Sequence, residues 1–189
     1  FLQYTVECWV RPEGPIDDAT DMTVIERAVW SSHSHGQDEE LLRKNFQVAI
    51  RNGRWYTRFD AAGTGERNFV DITDGTLASN RWTHVAATYD GHALKLYVDG
   101  ILRKSLRSGV QPEHGIKAYT YVPDAKVVPT LEWDDMIARP LVSILVGASA
   151  KNMYGIKFDG FSPVLPTLPS DYANFFKGHV DEVRIWDGA

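Results

Sequence analysis

Three arrangements in this chain could do chemistry: paired carboxylates, neighbouring histidines, and aromatic rings interleaved with polar groups. The densest acidic run is Glu132-Trp133-Asp134-Asp135, and Glu39-Glu40 is a second. Retaining hydrolysis of a glycoside needs two carboxyls held ~5–5.5 Å apart. Neither run follows a strand pattern, and the first lies between Pro129 and Pro140, so no catalytic residue is assigned. His33-x-His35 offers two metal-type ligands with no third at a suggestive spacing, and reads as a polar loop. Asp17, Asp18 and Asp21 read as a solvated acidic loop. No nucleophile elbow, phosphate-cradling loop or dinucleotide fingerprint is present. The chemistry that remains is binding.

Rings suited to binding crowd two segments, Gln111–Pro140 and Lys151–Phe175, which hold seven of the nine prolines. They include Tyr119, Tyr121, Trp133, Tyr154, Phe158, Phe161 and Tyr172, with Phe175 and Phe176 at the end of the second. A ring supplies flat apolar area and, in Tyr and Trp, a polar handle. That suits stacking on a sugar or anchoring a protein, and Trp133, Tyr119, Tyr121 and Tyr154 are the ligand-contact candidates. The alternative is that these rings fold back as a satellite core under long loops.

Two further groups sit on strand patterns. Asp181 is in phase with Val183 and Ile185, and an acid on an apolar face must be neutralised, hydrogen-bonded or coordinated to a cation. Glu7 is in phase with Trp9, and Arg184 with Trp186. A buried Glu7–Arg184 ion pair across a sheet, bracketed by tryptophans, is therefore expected. It would either grip a glycan or hold register and packing, and the structural role is favoured.

The elements that must position these residues have period two. Thr5–Val10, Val24–Trp30, Phe46–Arg51, Arg54–Phe59 and the two halves of Trp82–Asp99 all alternate. Asn52-Gly53 predicts a two-residue type I′ hairpin, because both central residues need positive φ. It would set Phe46, Val48 and Ile50 beside Phe59, Thr57 and Trp55. Around Asp90-Gly91, Val85 and Ala87 should share a face with Leu94, Leu96 and Val98, whether the loop has two residues or four. Trp82, His84 and Ala86 should face the other way with Lys95 and Tyr97, His84 as a sheet-face hydrogen bonder. Leu141–Gly147 reads as a strand buried on both sides, and Val180–Trp186 as the last strand. Gln37–Asn45 could form a short helix.

Composition bounds the function. One domain over residues 1–189 fits the length, and 43% hydrophobic with 24% charged residues is ordinary for a globular chain. The formal charge is −5 and there is no basic stripe, so nucleic acid is not an expected partner. No apolar run reaches the ~18–20 residues that cross a bilayer, so membrane insertion is not expected either. Cys8 is the only cysteine, which rules out an internal disulfide and suits a small buried hydrophobe. No leader precedes Phe1, so a processed or excised piece is expected.

WTHVAATYDGHALKLYVDG (82–100), FKGHVDEVRIWDGA (176–189) and TVECWVRP (5–12) together resemble the laminin-G-like, concanavalin-A-like jelly-roll domains, in the same order along the chain. The resemblance implies an all-β, two-sheet antiparallel β-sandwich, here with long Pro-rich loops. It implies a non-catalytic binding module of a multidomain protein, extracellular or at the cell surface. Its partner would be a glycan met by rim loops or, alternatively, neighbouring protein domains in an adhesive assembly. It also implies a structural calcium ion at Asp181. Glycosidases of this fold place their carboxylates as E-x-D-x-x-E on one strand, a spacing this chain lacks. The resemblance further implies a strand before TVECWV, lying beside the last strand, which is missing here.

Overall fold

A computed structural model describes residues 2–30, 42–62, 67–71, 77–112, 142–150 and 172–189. Two five-stranded antiparallel sheets form a sandwich. One sheet contains β1 (Tyr4–Pro12), β6 (Thr83–Tyr89), β7 (Ala93–Val98), β8 (Ile101–Arg107) and β12 (Gly178–Asp187). Its order is β12-β1-β6-β7-β8. The other contains β2 (Met22–Trp30), β3 (Leu42–Arg51), β4 (Arg54–Asp60), β5 (Arg67–Asp71) and β9 (Val142–Val146), in the order β5-β4-β3-β2-β9. A short ribbon of β10 (Ser149–Ala150) and β11 (Tyr172–Ala173) completes the elements.

Alternation decides which side chains meet between the sheets. Val6, Cys8 and Val10 of β1, Val85 and Ala87 of β6, and Leu94 and Leu96 of β7 pack against Phe46, Val48 and Ile50 of β3 and Phe59 of β4. Each fully buried aliphatic side chain of this set contributes roughly 1.5–3 kcal/mol over its exposed state. The aromatic heart is Tyr4, Phe46, Phe59 and Tyr89, with the rings of Phe59 and Tyr89 4.6 Å apart. Tyr89 also reaches the chain leaving β8, its hydroxyl lying 2.9 Å from the Ser108 carbonyl oxygen.

The hairpins follow the turn chemistry. Arg51 pairs with Arg54 across Asn52-Gly53, whose φ values of 49° and 66° are those of a type I′ turn. A Cβ at Gly53 would run into the Asp17 carbonyl, so glycine is needed for space as well as conformation. Val98 pairs with Ile101 across Asp99-Gly100, again with both φ positive. The β6–β7 loop has the longer of the two expected lengths, since Tyr89 pairs with Leu94. Asp90 caps it: Oδ1 accepts from the backbone N–H of His92 and of Ala93, and Oδ2 from Lys95 Nζ at 2.7 Å.

Three expectations change. Leu42–Asn45, the end of the expected helix, is the start of β3, where pairing with β2 overrides the local pattern. β9 is an edge strand rather than a strand buried on both sides, and Ile144 and Val146 are each about half exposed. The third change concerns β12. Trp9 pairs with Asp181 but Glu7 pairs with Arg184, so β12 carries an extra residue opposite β1. Glu182 takes up this bulge with φ of 49°, and its N–H donates to Asp181 Oδ1 at 2.7 Å. The bulge lets Val180 and Ile185 both pack on the core. Asp181 therefore shares the outer face of Trp9 and does not share the face of Val183 and Ile185.

Candidate functional site

The outer face of the second sheet is polar, buried in its middle and open at its rim. Bulges at Val24 of β2 and Asn45 of β3 reset the alternation, so Glu26, Lys44, Gln47 and Tyr56 come together on this face. Glu26 is fully buried and accepts four hydrogen bonds. Its Oε1 takes Lys44 Nζ at 2.7 Å and the Ala150 N–H at 2.6 Å. Its Oε2 takes Gln47 Nε2 at 2.9 Å and the Ser149 hydroxyl at 2.8 Å. Lys44 also donates towards the Ser149 hydroxyl and the Ala150 carbonyl. Burial pushes the Lys44 ammonium below its ordinary pKa, and Glu26 opposes that shift.

This network is a clasp. It ties the β10–β11 ribbon to the sheet floor, helped by backbone bonds from Gly147 N–H to Val24 and from Thr23 N–H to Asn174. The ribbon then walls one side of a cleft of about 180 Å³ whose lining includes Lys44, Gln47, Tyr56, Arg58, Ser149 and Asn174. Asp21 and Arg51 stand at its rim. Arg51 lies over the Tyr56 ring at 5.4 Å, and Tyr56 stacks on Phe69 at 5.7 Å. Tyr56 is covered, but Phe69 is 49% exposed and presents its ring to solvent.

The carboxylates in and beside the cleft are largely committed, Asp60 Oδ1 alone being buried with no donor among the described residues. Glu26 is held by its four donors. Asp60 Oδ2 accepts from the Lys44 N–H at 2.8 Å and lies 3.4 Å from Arg58 Nη2. Asp21 Oδ1 accepts the Asn52 N–H. Capacity remains elsewhere: Arg58 Nε is buried with no acceptor among the described residues, and Gln47 spends its Nε2 but not its oxygen in these bonds. Such a surface can hold a polyhydroxylated ligand by hydrogen bonds beside an exposed ring. A wider depression of about 660 Å³ lies over β7 and β8, lined by His92, Lys95, Ser105 and Arg107. Its lysine is spent on Asp90, and among the described residues no Phe, Tyr or Trp lines it.

The residues singled out from sequence fall in different places. Trp133, Tyr119, Tyr121 and Tyr154 lie outside the described residues, as do His33, His35, Glu39, Glu40 and the 132–135 acidic run. Glu7 and Arg184 are register partners with Nη1 and Oε1 3.7 Å apart. They are not buried: their side chains are 24% and 49% exposed, and Arg184 makes its shorter contact with Glu182, at 2.7 Å. An exposed pair of this kind contributes about 0–1 kcal/mol, far less than a buried one. Asp181 is exposed on the outer face, so the apolar-face argument for a cation there does not hold. No group of three or more His, Cys, Asp or Glu side chains arranged to hold a metal occurs among the described residues. The clasp itself was missed. Its residues lie in β2 and β3 among other polar and charged ones, such as Arg27, Arg43 and Gln47, so nothing in the sequence set Glu26 and Lys44 apart.

No curated protein matches the chain. Among solved structures, a heptameric SAP-like pentraxin from Limulus polyphemus superposes with a TM-score of 0.52 at 12% identity, over 100% of this chain and 65% of that one. A protein from Bacteroides ovatus described as carbohydrate-binding gives 0.51 at 18% identity, over 100% of this chain and 38% of that one. The CBM40 domain of the Ruminococcus gnavus IT-sialidase, bound to α2,3-sialyllactose, gives 0.56 at 12%, over 97% and 75%. The chain spans less than two thirds of the first two structures. At these identities the likeness is one of fold, which is the jelly-roll sandwich. A family model matches residues 2–124, the greater part of the chain, and so the protein belongs to the concanavalin A-like lectin/glucanase superfamily.

Proposed function

We propose that this domain is a non-catalytic glycan-binding module, and that its ligand sits in the cleft on the outer face of the β5-β4-β3-β2-β9 sheet. One observation carries the reading: the cleft sets unspent hydrogen-bonding groups of Gln47 and Arg58 beside the exposed Phe69 ring. A sugar offers hydroxyls to the first and a C–H face to the second. The sialyllactose held by the Ruminococcus gnavus domain supports the reading, because its fold is the same. Glu26 serves as the clasp that shapes the cleft, with both of its oxygens taken up by donors. Tyr119, Tyr121, Trp133 and Tyr154 are further ligand contacts in this proposal, and the setting is extracellular or at the cell surface.

The test is a glycan array followed by titration calorimetry of the best ligand. Phe69→Ala should weaken binding roughly tenfold, equivalent to about 1.4 kcal/mol. Gln47→Ala should weaken it as well, with thermal stability tracked in parallel. Full affinity in Phe69→Ala and Gln47→Ala alike would remove the ligand from this cleft.

A further inference from the structure

The opposite side of the sandwich carries three tryptophans on a solvent-facing sheet. Trp9 is 39% exposed, Trp82 40% and Trp186 55%. They are outward for a defined reason. Val10 and Val180 pair on the inner face, which turns Trp9 and its partner Asp181 outward. The bulge at Glu182 then resets β12, so that Ile185 packs inward while Arg184 and Trp186 point out. Trp82 precedes β6 and lies beside Arg11 and His179, with the Arg11 guanidinium 5.6 Å from its ring.

Register gives the layout. Outward residues two apart on a strand are ~6.6 Å apart, and adjacent strands are ~4.8 Å apart. Trp82 stands at the level of Arg11, Trp9 two residues further along β1, and Trp186 opposite Thr5. The three positions thus step across β6, β1 and β12 in one diagonal, with intervals of ~8 Å and ~14 Å. Polar groups fill the gaps. His84 meets Trp9 edge-on at 5.4 Å, Asp181 flanks it on the other side, and Glu7 and Arg184 stand between Trp9 and Trp186.

The charges on this face select the occupant. Arg184 is neutralised between Glu7 and Glu182, and Arg11 by Glu13. Among the described residues Asp181 makes no ion pair and uses only Oδ1, to Glu182 N–H, which leaves Oδ2 to accept. An anionic partner would meet Asp181 and Glu182 with both nearby arginines already paired, and a cationic one would find a single unpaired carboxylate, Asp181, among the described residues. The core of a protein interface is depleted in charged residues, whereas here rings and charged groups alternate. A complementary ligand is neutral and extended, and it offers O–H donors and flat C–H faces in turn.

We propose that the outer face of the β12-β1-β6-β7-β8 sheet is a second binding surface, distinct from the cleft, and that it takes a neutral polysaccharide chain laid along the Trp82–Trp9–Trp186 diagonal. Trp9 and Trp186 stack on sugar rings. Asp181 and the Glu7–Arg184 pair bond to hydroxyls between them, which gives that pair a binding role in addition to holding register.

Native affinity electrophoresis through gels containing hydroxyethylcellulose, xylan or galactomannan tests this. Retardation by at least one of them is expected, and Trp186→Ala or Trp9→Ala should lower the affinity roughly fivefold or more. Trp186 is more than half exposed, so its variant should fold even if Trp9→Ala does not. Retardation that Phe69→Ala abolishes and Trp186→Ala leaves unchanged belongs to the cleft on the opposite sheet, so failure of the cleft proposal and failure of this one are distinguishable. Unretarded migration in all three gels overturns the proposal, as does retardation that Trp186→Ala leaves unchanged. Concentration-dependent self-association abolished by Trp186→Ala, without retardation, overturns it in favour of a protein partner.

Discussion

Replacing Glu26 by glutamine tests whether the clasp is held by charge or merely by shape. Four donors converge on the two carboxylate oxygens: Lys44 Nζ, Gln47 Nε2, the Ser149 hydroxyl and the Ala150 N–H. Glutamine keeps the volume but offers one acceptor and turns an NH₂ towards donors. It also strands the Lys44 ammonium, whose side chain is only 7% exposed. Removing one partner of a buried pair costs about 3–5 kcal/mol. At an m-value of ~2 kcal/mol/M, that moves the urea midpoint by about 2 M.

The sign with pH is fixed by Lys44. Burial already lowers its folded-state pKa, and Glu26 is the first-named opposing influence, so removing that charge lowers it further. Between this lowered value and the unfolded lysine value of ~10.4, the unfolded chain binds more protons. Stability of the variant therefore rises with pH in that window, by up to about 1.4 kcal/mol per unit. The deficit of Glu26→Gln relative to the wild type should be largest near neutrality and shrink as the pH rises from the variant's lowered Lys44 value to the wild type's higher one. Adding Lys44→Met should recover part of it, because no stranded charge remains. Urea unfolding followed by tryptophan fluorescence reads all three. A loss below about 1 kcal/mol near neutrality, or one unchanged at alkaline pH, would refute the reasoning.

Two other perturbations probe the first sheet. Three hydrogen bonds hold the Asp90 carboxyl well below the usual carboxylate range, the bond from Lys95 first. A depressed folded pKa contributes stability above the unfolded value of ~3.9 and loses it as the pH falls further. The stability gap between wild type and Asp90→Asn should thus close in acid, and urea curves down to about pH 2 check it. A gap that widens in acid would contradict the capping geometry. Cys8 points into the core, where burial first and Glu7 second push the thiol up to about 12. Ellman's reagent should react with it at mildly alkaline pH only as fast as the protein opens. Rapid labelling of the native protein would place that side chain outside.

How much could be read from the residues differs between the sheets. In β4, β6 and β7 a clean period of two meets a hairpin whose turn residues set the register, so faces and partners could both be read, whereas in β1 the period gave the faces alone. β2, β3 and β12 were harder, because each carries a bulge. The pattern Val180-Asp181-Glu182-Val183 held a clue: two valines three apart cannot share a face on a regular strand. Without a partner strand in view, nothing says which of them is out of phase. The same holds for Glu26 and Lys44. Charges within a strand look like solvent-facing residues until a ribbon more than a hundred residues away closes over them.

The sequence alone determined the sandwich: alternation puts one side of each strand out of water, and Asn52-Gly53 and Asp99-Gly100 have the backbone freedom to reverse the chain. That Glu7 and Arg184 would meet was an expectation, and the bulge in β12 is what sets them opposite each other. Only the tertiary structure decided which charges are buried and which rings are bare. That choice depends on what lies above each face, a clasped ribbon over Glu26 and open solvent over Trp9 and Trp186. It is a matter of long-range closure that local periodicity does not encode.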